Sequence, residues 1–265
     1  MSARIYAGLG PFRDTIIGDG SWRRERGAAA SLVDAVRRAG FDGLEINPFG
    51  LDVARRAGIE MRIEDLAPVE LSLHSNFVDF SLASPNPYVR RAAVEQLHDE
   101  LALAEKHGIR VITFHPGVVR KVDRSTAMEL FWESLSFVAN HGRPVQLCLE
   151  NMDHKDEKLC NRQDEISATL ERFPSLRLTV DLAHLGLRGE DIGSFLDQFE
   201  HSVSHVHVSG VTPGTPHSKV SLAASSIDLR PHIERLADRD LAIVIENGDR
   251  ATLEESLTVI APLIR

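Results

Sequence analysis

The chain is poor in the features that mark secreted, membrane-spanning and nucleic-acid-binding proteins. Its 265 residues include two cysteines, Cys148 and Cys160, which are too few for a disulfide framework. No apolar run reaches the roughly 18–20 residues of a transmembrane helix, and the N-terminus lacks the basic-then-apolar layout of a secretory signal. The net charge of −9 gives no general attraction to nucleic acid or an anionic membrane. We therefore expect a cytoplasmic protein without a membrane partner.

Motifs that bind nucleotide phosphates are also missing, because neither a GxGxxG nor a phosphate-loop pattern occurs. Hydrophobic residues make up 43% of the chain and charged residues 26%, as in ordinary soluble globular proteins. The length suits one α/β barrel of about 250 residues. The sequence thus predicts one domain, residues 1–265. No stretch stands out as an interface, and a homodimer is expected only from the frequency of dimers among soluble proteins.

Short apolar segments alternate with longer amphipathic segments along the chain. The predicted strands are Ile5–Gly10, Gly43–Asn47, Glu70–His74, Val111–His115, Val145–Glu150, Leu178–His184, Val203–Ser209 and Ala242–Glu246. The predicted helices are Ala28–Ala39, Leu51–Ala57, Tyr88–His107, Ser125–Asn140, Gln163–Arg172, Ile192–Phe199, Leu229–Ala237 and Thr252–Ile264. This alternation predicts a single (β/α)8 TIM barrel in the α/β class. An open doubly wound sheet is the alternative, but it would expose the first and last strands as edges.

Seven consecutive strands carry a residue that can ligate a metal at or near their carboxyl ends. These residues are Glu45, His74, His115, Glu150, Asp181, His207 and Glu246. Taken singly, each is better explained as a structural histidine or a helix-capping carboxylate. In a barrel, however, these ends meet above the core, where four carboxylates would repel one another unless a cation neutralised them or some were protonated. The pattern therefore indicates a divalent metal site, with neutral imidazoles as further ligands.

The same residues carry a family resemblance. Thr113-Phe-His-Pro-Gly117, Glu150-Asn151, Asp181-x-x-His184, His207 and Glu246-Asn247 resemble the superfamily of xylose-isomerase-like barrels, which joins endonuclease IV to sugar isomerases and epimerases. The similarity extends from the second strand to the eighth. Its order and spacing are specific for the superfamily and uninformative about the substrate.

The resemblance implies a metal site and a pair of catalytic carboxylates. Glu150, Asp181, His207 and Glu246 would hold one divalent ion, and Glu150 and Glu246 would act as general acid and base on opposite sides of a substrate carbon. General chemistry agrees with these roles, because a metal polarises a carbonyl and its neighbouring hydroxyl while carboxylates move the proton. Asn151 orients Glu150, or only shapes its loop, and the same alternatives hold for Asn247 beside Glu246.

The endonuclease IV branch implies further ions. His74 and His115 would bind a second ion together with Glu150, and His184 would bind a third. The remaining ligands of that third ion form an Asp-x-His pair, where this chain has His217-Ser218-Lys219. A charged lysine cannot ligate a cation. We therefore expect one or two ions, of Mn, Zn, Co or Fe, rather than three.

The basic and aromatic residues of the loops do not identify the substrate. The candidates for contacts with phosphates are Arg23, Arg24, Arg26, Arg120, Lys121 and Arg124, although a solvated charged loop explains them equally well. Lys219 or Arg188 would suit a small anionic sugar, and Phe12 and Trp22 would cover a substrate or pack on the rim. Glu45 is a metal ligand, a partner of substrate hydroxyls or a partner of an arginine.

The favoured function is a divalent-metal-dependent isomerase or epimerase of a small sugar, sugar phosphate or related hydroxycarbonyl compound. An alternative is an endonuclease IV-like phosphodiesterase acting on abasic DNA, which is the only hypothesis with a nucleic-acid partner. A non-catalytic ligand-binding barrel is a third hypothesis, and it accords poorly with so full a set of ligand residue types. Candidates for substrate or outer-metal contacts are His184, His217, Lys219 and Glu45.

Overall fold

Eight parallel strands form a closed barrel in chain order in the computed structural model, which describes residues 2–12, 28–56 and 62–264. The strands are β1 (Arg4–Gly8), β2 (Gly43–Ile46), β3 (Glu70–His74), β4 (Val111–Phe114), β5 (Gln146–Glu150), β6 (Arg177–Asp181), β7 (Val203–Val208) and β8 (Ala242–Ile245). The structure confirms the predicted TIM-barrel fold.

Helices follow the strands. They are α1 (Ala28–Ala39), α2 (Pro48–Arg56), α3 (Ile63–Leu66), α4 (Pro87–Lys106), α5 (Arg124–Ser136), α6 (Gln163–Arg172), α7 (Leu182–Arg188), α8 (Ile192–Phe199), α9 (Arg230–Ala237) and α10 (Arg250–Ile264). In the described ranges, no helix is both long and apolar enough to cross a membrane.

The chain packs as two compact units. The first unit comprises Met1–Leu73 and Val206–Arg265, and the second comprises His74–His205. In the first unit, β1 pairs with both β2 and β8, and the apolar β8 is buried along its whole length. In the second unit, β5 pairs with β4 and β6.

The second unit buries a pair of threonines and both cysteines of the chain. Thr113 on β4 and Thr179 on β6 are fully buried, and their hydroxyls share a hydrogen bond of 2.7 Å. Cys148 is buried in β5, as expected of a small core residue, and Cys160 is buried as well. Both cysteines are free. Burial raises the pKa of the Cys160 thiol, so this thiol stays protonated and unreactive at neutral pH.

The largest departure from the predicted elements lies at Leu178–His184. The strand ends at Asp181, whose side chain accepts a hydrogen bond from the backbone N–H of His184 and so caps α7. His184 therefore lies in the first turn of a helix and not on a strand. The helix ends at Arg188 and is followed by Gly189, which adopts the left-handed conformation at φ 68°.

Other differences concern short elements and their ends. Helix α3 lies between the predicted helix Leu51–Ala57 and β3, where no helix was predicted, and α2 begins at Pro48, three residues before the predicted start. A proline is favoured in the first turn of a helix because the N–H that it lacks would have no partner there. Helix α5 ends at Ser136, before the predicted Asn140.

Candidate metal centre and active site

Three histidine rings surround the buried carboxylate of Glu150 in the second unit. Glu150 ends β5 and is 1% exposed. Its Oε2 lies 2.9 Å from His115 Nε2 and 3.4 Å from His74 Nε2, and its Oε1 lies 3.4 Å from His184 Nδ1. His74 ends β3 and His115 directly follows β4. These strand ends bring their polar side chains together, as the sequence predicts.

The spacing of His74, His115 and Glu150 fits a divalent ion. Ligand atoms about 2.0–2.2 Å from one ion lie about 2.9–3.5 Å from one another. The contacts of Glu150 Oε2 with both rings fall in this range, and one donor atom from each residue lies within 4.8 Å of the others. Burial lowers the pKa of His115, although the nearby Glu150 carboxylate opposes the shift. A neutral ring keeps a lone pair for an ion.

Asp181 adds a second buried carboxylate to this unit. Its Oδ1 accepts from the His184 N–H at 2.8 Å. Its Oδ2 is buried and accepts no hydrogen bond from any described residue; His184 Nδ1 approaches it to 3.4 Å. A buried carboxylate oxygen without a donor is costly, and a cation would remove this cost. Asp181 therefore fits the role of a metal ligand.

Asn151 ties the end of β5 to the end of β6. Its side chain donates to the Asp181 carbonyl at 3.0 Å and accepts from the Asp181 N–H at 2.8 Å. Its own carbonyl accepts from His184 Nδ1 at 2.9 Å. Because a carbonyl only accepts, Nδ1 carries the proton of a neutral His184 ring and Nε2 carries the lone pair. Asn151 thus shapes the strand ends and orients His184.

The first unit places one histidine between two carboxylates. The His207 ring is fully buried, with Nε2 lying 3.0 Å from Glu45 Oε1 and Nδ1 lying 3.1 Å from Glu246 Oε1. Glu45 is buried, whereas the Glu246 side chain is 22% exposed. The 3.1 Å contact also lies within the range of two ligands of one ion.

The loop after β7 is fixed to the end of β8. Asn247 donates to the Val220 carbonyl at 2.8 Å and accepts from the Ser256 hydroxyl at 2.6 Å. Gly210 donates to the same carbonyl at 2.8 Å, and a Cβ at this position would lie 2.1 Å from the Ser221 carbonyl oxygen. Only glycine fits such a close approach of two backbones. Asn247 therefore stabilises the structure of this loop.

His217 and Lys219 lie in this loop within a short 3₁₀ helix, His217–Lys219. The hydroxyl of Ser209 lies 2.9 Å from His217 Nδ1, and His217 is partly buried. Lys219 is exposed. The lysine therefore remains available to an anion arriving from solvent.

Phe77 is a site residue that the sequence reasoning missed. It lies three residues after His74, is 53% exposed, and stacks on the His115 ring with centroids 5.3 Å apart. Its ring also meets His74 edge to face at 5.5 Å. Val78 beside it is 48% exposed. The sequence feature that could have indicated this role is the pair of neighbouring apolar residues, Phe77 and Val78, shortly after the strand-end histidine.

Asp153 is another buried carboxylate of the second unit and lies in the loop after β5. Burial raises its pKa, but the Lys158 ammonium at 3.1 Å outweighs burial and holds this pKa below its usual value. Asp153 is therefore a carboxylate at neutral pH. Its pairing with Lys158 makes it a structural element of the loop.

The basic residues proposed for DNA contacts are only partly described. Arg124 is a structural residue rather than a phosphate ligand, because it donates to Glu165, Asn161 and the carbonyls of Asp156 and Lys158. Arg120 and Lys121 are exposed. Arg188 pairs with Glu190. The remaining candidates lie outside the described residues or have undescribed side chains, namely Arg23, Arg24, Arg26, Trp22 and Phe12.

The chain matches one family model and several curated proteins. A family model described as a xylose isomerase-like TIM barrel matches residues 33–262. An uncharacterised protein of Methanocaldococcus jannaschii is 28% identical over 64% of this chain and 63% of its own length. The probable endonuclease 4 of Thermoplasma acidophilum is 25% identical over 50% of this chain and 46% of its own length. The alignments thus span less than two thirds of these relatives.

Solved structures share the fold over nearly the whole chain. A D-tagatose 3-epimerase-like protein superposes with a TM-score of 0.77 at 18% identity, covering 98% of this chain and 96% of that one. The 3-keto-D-glucoside 4-epimerase of E. coli gives a TM-score of 0.76 at 13% identity, covering 98% and 99% of the two chains. At these identities the likeness establishes the fold alone.

Proposed function

The chain belongs to the xylose isomerase-like TIM-barrel family, and on that premise we propose that it is a divalent-metal-dependent isomerase or epimerase. Its substrate is a small sugar, sugar phosphate or related hydroxycarbonyl compound. The sugar epimerases among the structural neighbours support this choice.

The observation that carries the proposal is the environment of Glu150. Its carboxylate is buried at a strand end, and both of its oxygens contact imidazole nitrogens. Buried charges are retained in proteins where they are paired or bind metals. A carboxylate among several imidazoles is a donor set that Zn, Mn, Co and Fe all accept.

The ion would be held by Glu150, Asp181, His207 and Glu246. Asp181 would contribute Oδ2, the buried oxygen that accepts no hydrogen bond from the described residues. His207 would contribute Nδ1, which contacts Glu246. When bound, such an ion polarises a substrate carbonyl and hydroxyl and stabilises the negative charge that follows proton removal.

Glu150 and Glu246 are proposed to move the proton. One carboxylate takes a proton from the substrate carbon next to the carbonyl, and the other delivers a proton to the same carbon or its neighbour. The two groups differ in exposure, because the side chain of Glu150 is 2% exposed and that of Glu246 is 22% exposed. Glu246 therefore exchanges its proton with solvent more readily than Glu150.

Lys219 is proposed to bind an anionic group of the substrate. It is exposed, and its positive charge excludes it from a metal ligand set. A phosphate or carboxylate of the substrate would provide its counter-charge. This role favours a sugar phosphate or sugar acid over a neutral sugar.

A second candidate function is a phosphodiesterase acting on abasic DNA, favoured by two observations. His74, His115 and Glu150 form a second donor set within one unit. Phe77 and Val78 project beside it as exposed apolar side chains, the kind that proteins insert between base steps. Against this function, Lys219 replaces a ligand that the resemblance requires for a third ion.

An activity panel tests the choice between the two functions. Protein loaded with Mn²⁺, Zn²⁺ or Co²⁺ is incubated with ketoses, ketose phosphates and sugar acids in D₂O, and beside them with a duplex that contains one abasic site. We expect deuterium to enter a sugar substrate at carbon and the duplex to remain intact. Lys219→Ala should raise KM for the phosphorylated substrates and leave KM for neutral ones unchanged.

Incision of the duplex that is lost in Glu150→Gln, without deuterium uptake into any sugar, would establish the second function instead. Phe77→Ala then serves as the matched variant, because a wedge residue should weaken duplex binding. In the sugar reaction the same variant should change KM by no more than about 200-fold, since one apolar contact contributes about 1–3 kcal/mol at most.

A further inference from the structure

One peptide group in the second unit forms hydrogen bonds on both of its sides. It joins Ser75 to Asn76, directly after β3. Its carbonyl, that of Ser75, accepts from His74 Nδ1 at 2.8 Å. Its N–H, that of Asn76, donates to Glu100 Oε1 at 3.2 Å. A histidine that is a candidate metal ligand is therefore linked to a carboxyl group of helix α4 through one peptide.

The geometry of a peptide makes this link rigid. The Ser75–Asn76 peptide is trans, so its carbonyl and its N–H point in opposite directions within one plane. An acceptor that fixes the direction of the N–H therefore also fixes the direction of the carbonyl. Because a carbonyl only accepts, His74 Nδ1 carries the proton of a neutral ring and Nε2 carries the lone pair. The lone pair is thus on the nitrogen that lies 3.4 Å from Glu150 Oε2.

Glu100 is held in place by a neighbour on its own helix. Gln96 precedes it by four residues on α4, which places both side chains on one face of the helix. The Gln96 amide donates to Glu100 Oε1 at 3.1 Å, to the Asn76 carbonyl at 3.0 Å and to the Ser75 hydroxyl at 3.3 Å. Glu100 is 5% exposed and Ser75 is 1% exposed. Hydrogen bonds in such a buried network strengthen one another, so the network holds the peptide firmly.

We propose that Glu100 is a positioning residue that fixes the tautomer and the orientation of His74 through the Ser75–Asn76 peptide. Its Oε1 holds the peptide N–H, the peptide carbonyl holds the Nδ1–H of the ring, and Nε2 keeps its lone pair for a divalent ion. A hydrogen bond at the N–H of a peptide makes the carbonyl of the same peptide a stronger acceptor. A strong acceptor at the second nitrogen orients a ligating histidine and raises the basicity of its ring. The inference rests on the proposed function, because that function supplies the ion.

A role of Glu100 in the stability of the turn alone is the competing explanation. The turn has further hydrogen bonds, because the Ser75 N–H donates to the Thr113 carbonyl at 2.8 Å and the Val78 N–H donates to the Asn76 side chain at 3.0 Å. Removal of Glu100 therefore leaves the turn closed and bound to β4, and it frees the rotation of one peptide. Positioning predicts a change in the histidine ring, whereas a role in stability alone predicts lower stability with the ring unchanged.

The ring of His74 provides a readout independent of activity. Long-range ¹H–¹⁵N spectra of the metal-free protein are recorded at a pH at which the ring is neutral, with His74→Asn for assignment. In wild type we expect Nδ1 to be protonated and Nε2 to be unprotonated. In Glu100→Ala the other tautomer should appear, and the Nδ1 proton should exchange faster with water.

Three further variants complete the comparison, after circular dichroism has confirmed folding. Glu100→Gln keeps an oxygen that accepts the Asn76 N–H, so its spectrum should stay close to that of wild type. Glu100→Met removes the acceptor and keeps the volume of the side chain, so it should reproduce Glu100→Ala and serves in its place if that variant does not fold. Glu95→Ala is the matched control, because it removes an exposed carboxylate from the same helix, and it should leave the ring unchanged.

Titration of the same proteins with Zn²⁺ measures the consequence for the ion. Binding is followed at the His74 signals, so that only an ion at this histidine is observed. We expect affinity to fall about tenfold in Glu100→Ala and Glu100→Met, the lower end of the range for partners that contact a ligating residue directly. It should fall less in Glu100→Gln and stay unchanged in Glu95→Ala.

Two results would overturn the inference. Unchanged His74 signals and unchanged zinc affinity in Glu100→Ala and Glu100→Met would show that the peptide keeps its orientation without Glu100. A wild-type ring with its proton on Nε2 would contradict the assigned tautomer. Wild type that takes up no ion contradicts the proposed function itself, which is a separate failure, and the metal-free spectra still decide whether Glu100 orients His74.

Discussion

The two units surround their buried charged groups in different ways. In the second unit one buried carboxylate, Glu150, contacts three imidazoles, whereas in the first unit one buried imidazole, His207, contacts two carboxylates. The second unit thus places a single carboxylate among its imidazoles. Two carboxylates that flank one imidazole, as in the first unit, repel each other unless a cation lies near them. The first unit therefore depends more strongly on a bound cation than the second.

The catalytic carboxylates give the largest expected effect. Glu150→Gln and Glu246→Gln each remove a group that takes or delivers the substrate proton, and such groups contribute typically about 10²–10⁴-fold to rate. We expect kcat to fall by about 10³-fold in each variant, measured as deuterium entry into the sugar. If both variants kept more than a tenth of the wild-type rate, neither carboxylate would be the proton-transfer group.

Arg124 in the second unit should matter for stability rather than catalysis. Arg124→Ala leaves the buried Glu165 carboxylate without its guanidinium and removes donors from three further acceptors. Breaking a buried ion pair costs about 3 kcal/mol in the free energy of unfolding. Urea denaturation measures this cost, with Arg120→Ala as the control because Arg120 is exposed. A cost below about 1 kcal/mol would mean that Arg124 does not hold this loop.

His115 tests whether the second unit binds an ion of its own. In His115→Asn, the set formed with His74 and Glu150 loses one of its three donors. Ion content should fall from two equivalents toward one, or affinity at that site should fall about 10- to 100-fold, a loss of roughly 1.4–2.7 kcal/mol. The sugar reaction should keep most of its rate. A complete loss of that reaction would show that the imidazoles of the second unit act in catalysis.

Substitution of Glu100 should give the smallest effect, a change in how stability depends on pH. Glu100 differs from the proposed metal ligands of the second unit because hydrogen-bond donors, and not a cation, surround its carboxyl group. Burial raises its pKa, and its Oε1 accepts from the Asn76 N–H and the Gln96 amide rather than from a cation. Because its pKa is higher in the folded state, its stabilising contribution is present at low pH and is lost as pH rises through the folded-state pKa.

Glu100→Gln removes this titration, so thermal denaturation should show the variant gaining on wild type as pH rises above about 4.3, the value for an unfolded glutamate. The gain should level off once pH exceeds the folded-state pKa. Glu95→Gln, on the exposed face of the same helix, should show no such trend. A constant difference at all pH values would contradict the raised pKa.

The parts of the fold that follow local rules could be predicted from the sequence. Strand β3, helix α1 and helix α6 have the predicted bounds, because apolar periodicity and turn residues mark both ends. Helix α7 was missed because Leu182 and Ala183 continue the apolar run of β6, which hides the capping role of Asp181. A cap is visible only when the backbone direction is known.

For the site, the sequence could predict which residues end strands but not their pairing. His74, His115 and Glu150 meet as expected because they end consecutive strands. The pairing of Glu45 with His207 joins β2 to β7, and it depends on side-chain conformations that no local pattern determines. Arg124 was a candidate for phosphate contacts because the sequence shows its positive charge. The sequence does not show that the guanidinium already donates hydrogen bonds to groups of the protein.

The ion content of the protein tests the central claim most directly. Protein purified without added metal is analysed by inductively coupled plasma mass spectrometry, beside Asp181→Asn and the exposed-carboxylate control Glu234→Ala. We predict one or two equivalents of Mn, Zn, Co or Fe in wild type and in Glu234→Ala, and a clear loss in Asp181→Asn. Wild type that contains no metal, and that takes up none of these four ions when it is added, would contradict the account.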